Sequence, residues 1–369
     1  MFELDSEPSV AKLYVYKETQ SVGLVESISS LQWMPAWADV GEFKLICAAS
    51  AKNRRNLTKW TTLYNPDTPE LSAMVVAVNT EPGKNTMTVR GMFSLLRFKQ
   101  RVAKGTRNIT DAAAGLLELC RTNLRGLPVT VPETAGFTAP CQETVEWLDC
   151  RSAIVQLAKA GGFGVRVRFD RDTGTESLEL LHGVDRSRQE SEAYRGFFST
   201  QMKNLSSPSL EDDGSDYANV ALCCGEKPSE QDQWQPLFLE VGDTQATGAD
   251  RHELWVDGSG VTHKHTVQLA DGSTQDAVYT EEEYKAALTN YAMAALLKHM
   301  GGRALKATAS DQPLRYGTDY ALGDIVPLRI PEMDLVATAR VASVKLIYEK
   351  TGRTVEPVFD TITIGGDAT

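Results

Sequence analysis

Apolar and polar positions alternate in short runs from residue 13 to residue 45, with Leu13 and Val15 set against polar neighbours. Gly41-Glu42-Phe43-Lys44-Leu45 then shows the period of two that a half-buried strand requires. Residues 74–78 run apolar into a turn at Glu81-Pro82-Gly83-Lys84-Asn85 and return through Met87, Val89 and Gly91, which predicts a hairpin. The pattern therefore opens on a β unit that ends near Gln100.

The period then lengthens. Thr110 is the expected N-cap of a helix that carries Leu116, Leu117, Cys120 and Leu124 on one face and stops at Gly126. A second helix is expected from near Asp149 through Ile154, Leu157 and Ala158 to Gly161, with Lys159 in its last turn. A hairpin follows: Phe163, Val165, Val167 and Phe169 alternate, residues 170–175 turn, and Leu178 and Leu180 return. Residues 105–185 thus predict a small α/β module. Residues 206–216 and 224–233 read as polar loops around a strand at 217–223, and strands resume at 237–241 and 254–256.

The clearest helix starts at Thr280, whose hydroxyl can cap while Glu283 reaches back; it is expected to run to Gly301, past Lys298 and His299. From Leu314 the chain is β again, through Ile325, Val326 and Leu328, then Val341, Val344 and Leu346, a turn at Lys350-Thr351-Gly352-Arg353, and residues 355–364. Val75 and Val344 each stand eight residues before a turn glycine, Gly83 and Gly352. That echo suggests related β units at the two ends of the chain.

A length of 369 residues exceeds one compact core and predicts two to four small domains. The longest apolar stretches, 73–78 and 291–297, fall far short of the roughly 20 residues that cross a bilayer, so no membrane span is expected. Glu3, Asp5, Glu7, Lys12, Lys17 and Glu18 interrupt the first twenty residues and leave no apolar h-region, which predicts no signal peptide and synthesis in the cytoplasm. The six cysteines lack Cys-x-x-Cys spacing and are expected as buried free thiols. A net charge of −11 disfavours a protein that grips phosphate backbones, though not a surface along which DNA slides. The basic run Arg97, Lys99, Arg101, Lys104 and Arg107 lacks interleaved aromatics and reads as a solvated or subunit-contacting face.

No set of residues converges on chemistry. His263-Lys264-His265 offers half a metal site with no third ligand and is expected on an exposed hairpin. His182 and Asp185 could be a base and its orienter, but no nucleophile elbow accompanies them. Gly161-Gly162-Phe163-Gly164 follows a helix, which is the wrong place for a dinucleotide turn, and Glu211-Asp212-Asp213 sits in a polar stretch that would not raise a carboxyl pKa. The expectation is therefore of no catalytic, cofactor-binding or metal residues, no cofactor, and no enzyme. Two rival readings stay open: a cell-wall hydrolase, which needs a convergent catalytic set, and a carbohydrate-binding protein, which needs exposed aromatic platforms. Among Trp33, Trp37, Trp60, Trp147 and Trp234, only Trp234 is nominated as such a platform, with a subunit contact preferred even there.

A series of blocks resembles the siphophage tail-hub or tail-associated (Tal-like) baseplate hub proteins. In order these are Gly41-Glu42-Phe43 after Trp33, Arg90-Gly91-Met92-Phe93 ahead of Leu95-Leu96, and Gly183-Val184-Asp185-Arg186. Tyr217-Ala218-Asn219-Val220-Ala221 with Gly225-Glu226 follows, then Asp250-Arg251 before Val256-Asp257, Leu322-Gly323-Asp324-Ile325-Val326, and Gly352-Arg353 with Glu356-Pro357-Val358-Phe359. The resemblance implies a mainly β (α+β) hub-type fold of two tail-tube-like β-barrels with small α/β insertions. Its divisions would be 1–104, an N-terminal barrel completed by strands within 195–260; 105–190, an α/β domain; 191–304, linking strands, loops and helix; and 305–369, a C-terminal barrel.

The same resemblance implies a homotrimer at the virion tail tip. Its partners would be a distal tail protein or tube ring, a tape-measure protein and fibre or receptor-binding proteins, with DNA only in passage. Gly41, Gly91, Gly183, Asp185, Gly323, Asp324 and Gly352 are then expected as structural turn residues. Longer relatives continue into fibre, lysin or receptor-binding regions, whereas this chain stops at Thr369, so neither host recognition nor wall cleavage is expected of it.

Overall fold

A computed structural model describes residues 9–227, 235–268, 274–296, 299 and 302–364. The chain opens with β1 (Tyr14–Lys17), β2 (Gln20–Leu24), β3 (Ile28–Met34), β4 (Glu42–Ala48), the short α1 (Ala51–Asn56), β5 (Thr62–Tyr64), β6 (Ser72–Thr80) and β7 (Thr86–Phe93). A 3-10 turn at Ser94–Gln100 leads to β8 (Thr106–Asp111), α2 (Ala112–Asn123), β9 (Val129–Thr130), β10 (Pro140–Glu146), α3 (Cys150–Gly161), β11 (Gly164–Phe169) and β12 (Glu176–Leu181). Next come β13 (Phe198–Ser199), β14 (Leu205–Asp213), β15 (Val220–Cys224), β16 (Phe238–Gly242), β17 (Glu253–Asp257), β18 (Lys264–Gln268), β19 (Thr274–Val278) and α4 (Glu281–Leu296). The chain closes with β20 (Gly302–Ala309), β21 (Ile325–Ile330), β22 (Leu335–Glu349) and β23 (Gly352–Ile364). The fold is mainly β, the class that the patterning predicts.

Two compact units result, one built from residues up to 208 together with those from 307 onward, the other from 209–306. The first unit is organised by an eleven-stranded sheet in the order β13-β21-β22-β3-β4-β7-β6-β5-β1-β2, with β23 on the free side of β22. β22 is the shared member. One of its edges pairs with β23 over nearly its whole length, while the other pairs first with β21, from Leu335 to Arg340, and then with β3, at Leu346, Ile347 and Tyr348. A single long strand thus joins the C-terminal strands to the N-terminal ones, and the two ends of the chain share one hydrogen-bonded surface.

Alternation explains which side is covered. In β4, Phe43, Leu45 and Cys47 are buried and their neighbours are not. Trp33 of β3 lies under Phe43 and Phe93, with ring centroids 5.6 and 4.8 Å away, and its indole N–H donates to Thr68 Oγ1 at 3.0 Å. α2 and α3 pack together over a second core in this unit that includes Leu116, Leu117, Ile154, Leu157 and Phe163. The cap of α2 is Asp111 rather than the expected Thr110: the Asp111 carboxylate accepts from Ala114 N at 3.0 Å, while Thr110 remains inside β8. α3 is capped by Asp149 and ended by Gly162 in the left-handed conformation, one residue beyond the expected Gly161.

The stretch 206–216, expected as a loop, is β14 through Asp213, paired with β20. Its Ser, Pro and Asp content marks a turn locally, but the partner strand satisfies the backbone and overrides that preference. In the second unit β15 is central, antiparallel to β16 and parallel to β17. α4 lies on one face of this sheet, bringing Tyr284, Leu288, Ala292 and Leu296 against Ala221, Cys223, Val241 and Val256. The predicted capping box is present, with Thr280 N donating to Glu283 Oε2 at 2.9 Å and Glu283 N to Thr280 Oγ1 at 3.3 Å. α4 is described to Leu296, and Lys298 and Gly301 lie outside the described residues. Among the described residues no helix is long and apolar enough to cross a membrane.

The box generates a test. Thr280→Ala removes the N-cap hydroxyl and is expected to cost about 1 kcal/mol. Circular dichroism melting should show the loss as a lower melting temperature with the helix content of the native state unchanged.

Candidate functional site

Where β21 begins, separate segments of the chain meet around one buried carboxylate. Asp324 Oδ1 accepts from Val184 N at 2.9 Å, and Oδ2 accepts from Arg186 Nε at 2.6 Å and from Ala321 N at 2.8 Å. Its side chain is 3% exposed and that of Arg186 16% exposed. Ile325 N donates to Val184 O and Arg186 N to Ile325 O, so residues 184–186 run beside β21 as an extra strand-like segment. Gly323 N donates to Val341 O, Val341 N donates to Asp324 O, and Arg340 Nη1 donates to Gly323 O at 2.8 Å, which ties the junction to β22.

Trp37 fills the centre. Its backbone bridges two layers, with Trp37 N donating to Ala342 O and Val165 N to Trp37 O. Two glycines make room for its ring: a Cβ on Gly164 or on Gly323 would collide with the indole, and Gly323 also has a φ of +91°. The Arg340 guanidinium sits 5.8 Å from the Trp37 ring centroid. A cleft of about 500 Å³ opens beside the ring, lined in part by Asp39, Lys159, Arg340 and Asp360, with Asp39 and Lys159 paired at 3.4 Å. Both junction guanidiniums already hold acceptors, so the arrangement is suited to locking segments together rather than to reacting with a ligand.

The junction collects four of the seven predicted turn residues. A Cβ on Gly183 would collide with Gly323 O, and the Asp185 carboxylate accepts from the N and Oγ of Ser187, whose hydrogen bonds hold its pKa below the usual carboxylate range. Gly41 and Gly91 lie elsewhere, next to Phe93 and Phe43 respectively in the Trp33 cluster, and Gly352 forms the tip between β22 and β23. Sequence reasoning passes over Trp37, Arg186 and Arg340 as partners, because nothing local signals contacts made across more than a hundred residues.

It also passes over a second buried pair. Arg97 and Glu176 are ion-paired, with Arg97 Nη2 on Thr62 Oγ1 at 3.1 Å and Glu176 Oε1 on Ser72 Oγ at 3.4 Å, which fastens the hairpin β11–β12 to the large sheet. The basic run is therefore not uniformly a solvated face. Arg97 is committed inward, and Arg101 donates to the carbonyls of Leu124 and Arg125 at the end of α2.

The residues weighed for chemistry are separated. His182 packs on Phe137, with ring centroids 3.9 Å apart, while the Asp185 carboxylate is held by Ser187. His263 stacks on Tyr284 at 3.5 Å, with its Nδ1 3.3 Å from Glu226 Oε2, so it is packed rather than carried on an open hairpin as expected. The His265 side chain and Trp234 lie outside the described residues. Among the described residues no three His, Cys, Asp or Glu side chains gather as metal ligands would. All six cysteines are free, and burial pushes the thiol of Cys47 up to about 12 and those of Cys150 and Cys223 to about 11.

This fold is that of phage tail proteins. The prophage MuSo2 43 kDa tail protein from Shewanella oneidensis matches with a TM-score of 0.59 at 11% identity, covering 95% of this chain and 98% of that one. A tail protein from Neisseria meningitidis MC58 matches at 0.54 and 11% identity, covering 96% of each chain. Prophage tail protein gp18 from Listeria monocytogenes EGD-e matches at 0.51 and 11% identity, over 97% of this chain and 96% of that one. No curated protein matches the sequence. The model of the Siphovirus ReqiPepy6 Gp37-like protein family matches residues 145–359, more than half of the chain, and the chain belongs to that family. The resemblance to siphophage tail-associated proteins drawn from the sequence blocks is thereby upheld.

Two measurements probe the site. Asp324→Ala leaves the Arg186 charge buried without its partner and is expected to cost about 3–5 kcal/mol in urea unfolding. Arg186→Met combined with Asp324→Leu should cost less than Asp324→Ala alone, because no charge is left behind. The second concerns pH. The buried thiols ionise at higher pH in the folded chain than their ordinary value of 9.0, so their contribution is complete below about pH 9 and is lost as pH rises through 11 to 12. Melting temperature should accordingly fall between pH 9 and pH 11.

Proposed function

We propose that this tail protein is a structural hub at the virion tail tip, a homotrimer that closes or extends the distal end of the tail tube. It matches a sixfold tube to a threefold tip and forms part of the DNA conduit. The observation that carries the reading is β22, whose one edge serves both β21 and β3 and so holds two strand sets in one chain. In this reading the strands of 1–104 and those of 305–369 are the two tube-like barrel halves, and 105–190 and 191–304 are insertions between them. Three chains with two related halves each present six similar units around an axis, which is what a sixfold ring needs as a mate.

Other features support the same role. The net charge of −11 suits a conduit, since a surface of the same sign as phosphate avoids the counterion-release binding that would stall passing DNA. The turn residues Gly41, Gly91, Gly183, Asp185, Gly323, Asp324 and Gly352 serve folding rather than ligand contact, and the role needs no catalysis and no cofactor. The distal tail protein or tube ring, the tape-measure protein and fibre or receptor-binding proteins are its partners on the tail.

Light scattering or native mass measurement of the purified chain at micromolar concentration is expected to report a trimer, and a stable dimer would overturn the symmetry argument. Gly323→Val, which must place a β-branched residue at a φ of +91° against Trp37, should lower the melting temperature and the trimer yield together. A variant with both unchanged and tail assembly lost would put Gly323 at a partner contact instead.

A further inference from the structure

The outer face of the β16-β15-β17 sheet, opposite α4, is a built aromatic platform. Ala221, Cys223, Leu239, Val241, Leu254 and Val256 face the helix, so the alternate residues face outward. Two of these outward residues, Phe238 and Trp255, are 67% and 61% exposed, among the most exposed large apolar side chains in the described chain. Their registers define a square. Cys224 stands between Phe238 and Asp257, and Leu222 stands between Glu240 and Trp255. The two rings therefore occupy one diagonal and the two carboxylates the other, with a half-buried Leu222 and a buried Cys224 on the strand between them.

Two strand spacings across and two residues along put the rings about 12 Å apart. Beyond Trp255 the face is closed off by Arg251, whose guanidinium bridges Glu240 at 2.9 Å and Glu253 at 2.6 Å. Glu240 and Glu253 share that guanidinium, while Asp257, at the other end of the face, accepts from Ser259 N at 3.0 Å and has Lys227 close enough to lower its pKa; three carboxylates against two cations leave the face net negative.

We infer that this face binds a neutral, extended polysaccharide chain of β-1,4-linked pyranoses. Such a chain presents flat C–H faces that stack on the negative faces of aromatic rings, and hydroxyls along its edges that donate to carboxylates. Rings on one diagonal and acceptors on the other match that alternation, and rings offset by two strands and two residues suit an extended chain better than a coiled one. Carboxylates exclude the phosphate-bearing alternatives by repulsion. Area argues against a protein occupant: three five-residue strands span about 14 by 17 Å, on the order of 240 Å², whereas a stable protein contact covers about 800 Å² per partner.

The test uses the purified full chain titrated with cellohexaose and with chitohexaose, followed by tryptophan fluorescence and calorimetry. Saturable binding to at least one of them is expected, weakened about tenfold in Trp255→Ala and in Phe238→Ala. Trp255→Phe should retain most of the affinity, Trp60→Ala all of it, and melting temperatures should match the parent. Absence of saturable binding to both hexasaccharides overturns the inference, as does binding indifferent to both alanine variants. If neither sugar binds and the alanine variants instead abolish association between protein chains, the face is a protein interface and the inference is wrong. Should Trp255→Ala fail to fold, Phe238→Ala against Trp255→Phe decides the matter. The inference is independent of the hub reading, because a trimer that binds neither sugar keeps the hub and loses this site.

Discussion

A buried carboxylate at the start of β21 is the constraint on which the larger unit depends. Asp324 receives two backbone N–H groups and the Arg186 guanidinium, so its charge is compensated only when residues 184–186 meet residues 321–324, and the backbone of Gly323 and Asp324 ties that meeting to β22. A charge taken out of water without partners is costly enough to make partial assemblies unfavourable. The Trp37 ring adds a steric condition to the electrostatic one. It fits only because Gly164 and Gly323 lack side chains at the two places where the ring is closest.

From that junction the order of the sheet follows. Gly323 and Asp324 pair with Val341, which sets the register of β21 on β22, and from Leu346, five residues further, β22 takes β3 on the same edge. Burial of Trp33, Phe43 and Phe93 holds β3, β4 and β7 in their places beyond it. The Arg97 and Glu176 pair does the same service for the helical module, again with a charge that is satisfied only across a tertiary contact. Two buried ion pairs and one enclosed tryptophan thus specify how four stretches of chain meet. Hydrophobic burial, which has no direction, would leave several arrangements open.

The smaller unit shows a different economy. One helix covers one face of three short strands, and its capping box and apolar stripe account for its whole core. The other face carries aromatic and acidic side chains in alternation. A face carried on a unit with its own core can change without disturbing the eleven-stranded sheet of the larger unit, because the two cores are built from different residues.

The sequence by itself determined the local elements. Period-two alternation marked β4, the β6–β7 hairpin and the β11–β12 hairpin, and the apolar face with its terminal glycine marked α3 as the capping box at Thr280 marked α4, because those signals lie within a few residues of what they control. The same blocks carried the family. Where local composition and tertiary pairing disagreed, as at residues 206–213, pairing prevailed and a polar stretch became β14. Only the tertiary structure decided that β22 serves two strands on one edge, that Arg97 turns inward, and that Asp324, Arg186, Arg340 and Trp37 meet. It likewise decided which side of β17 α4 would cover, and so left Trp255 outside. Those outcomes depend on contacts between residues scores of positions apart, and no window of sequence short enough to show a period contains both partners.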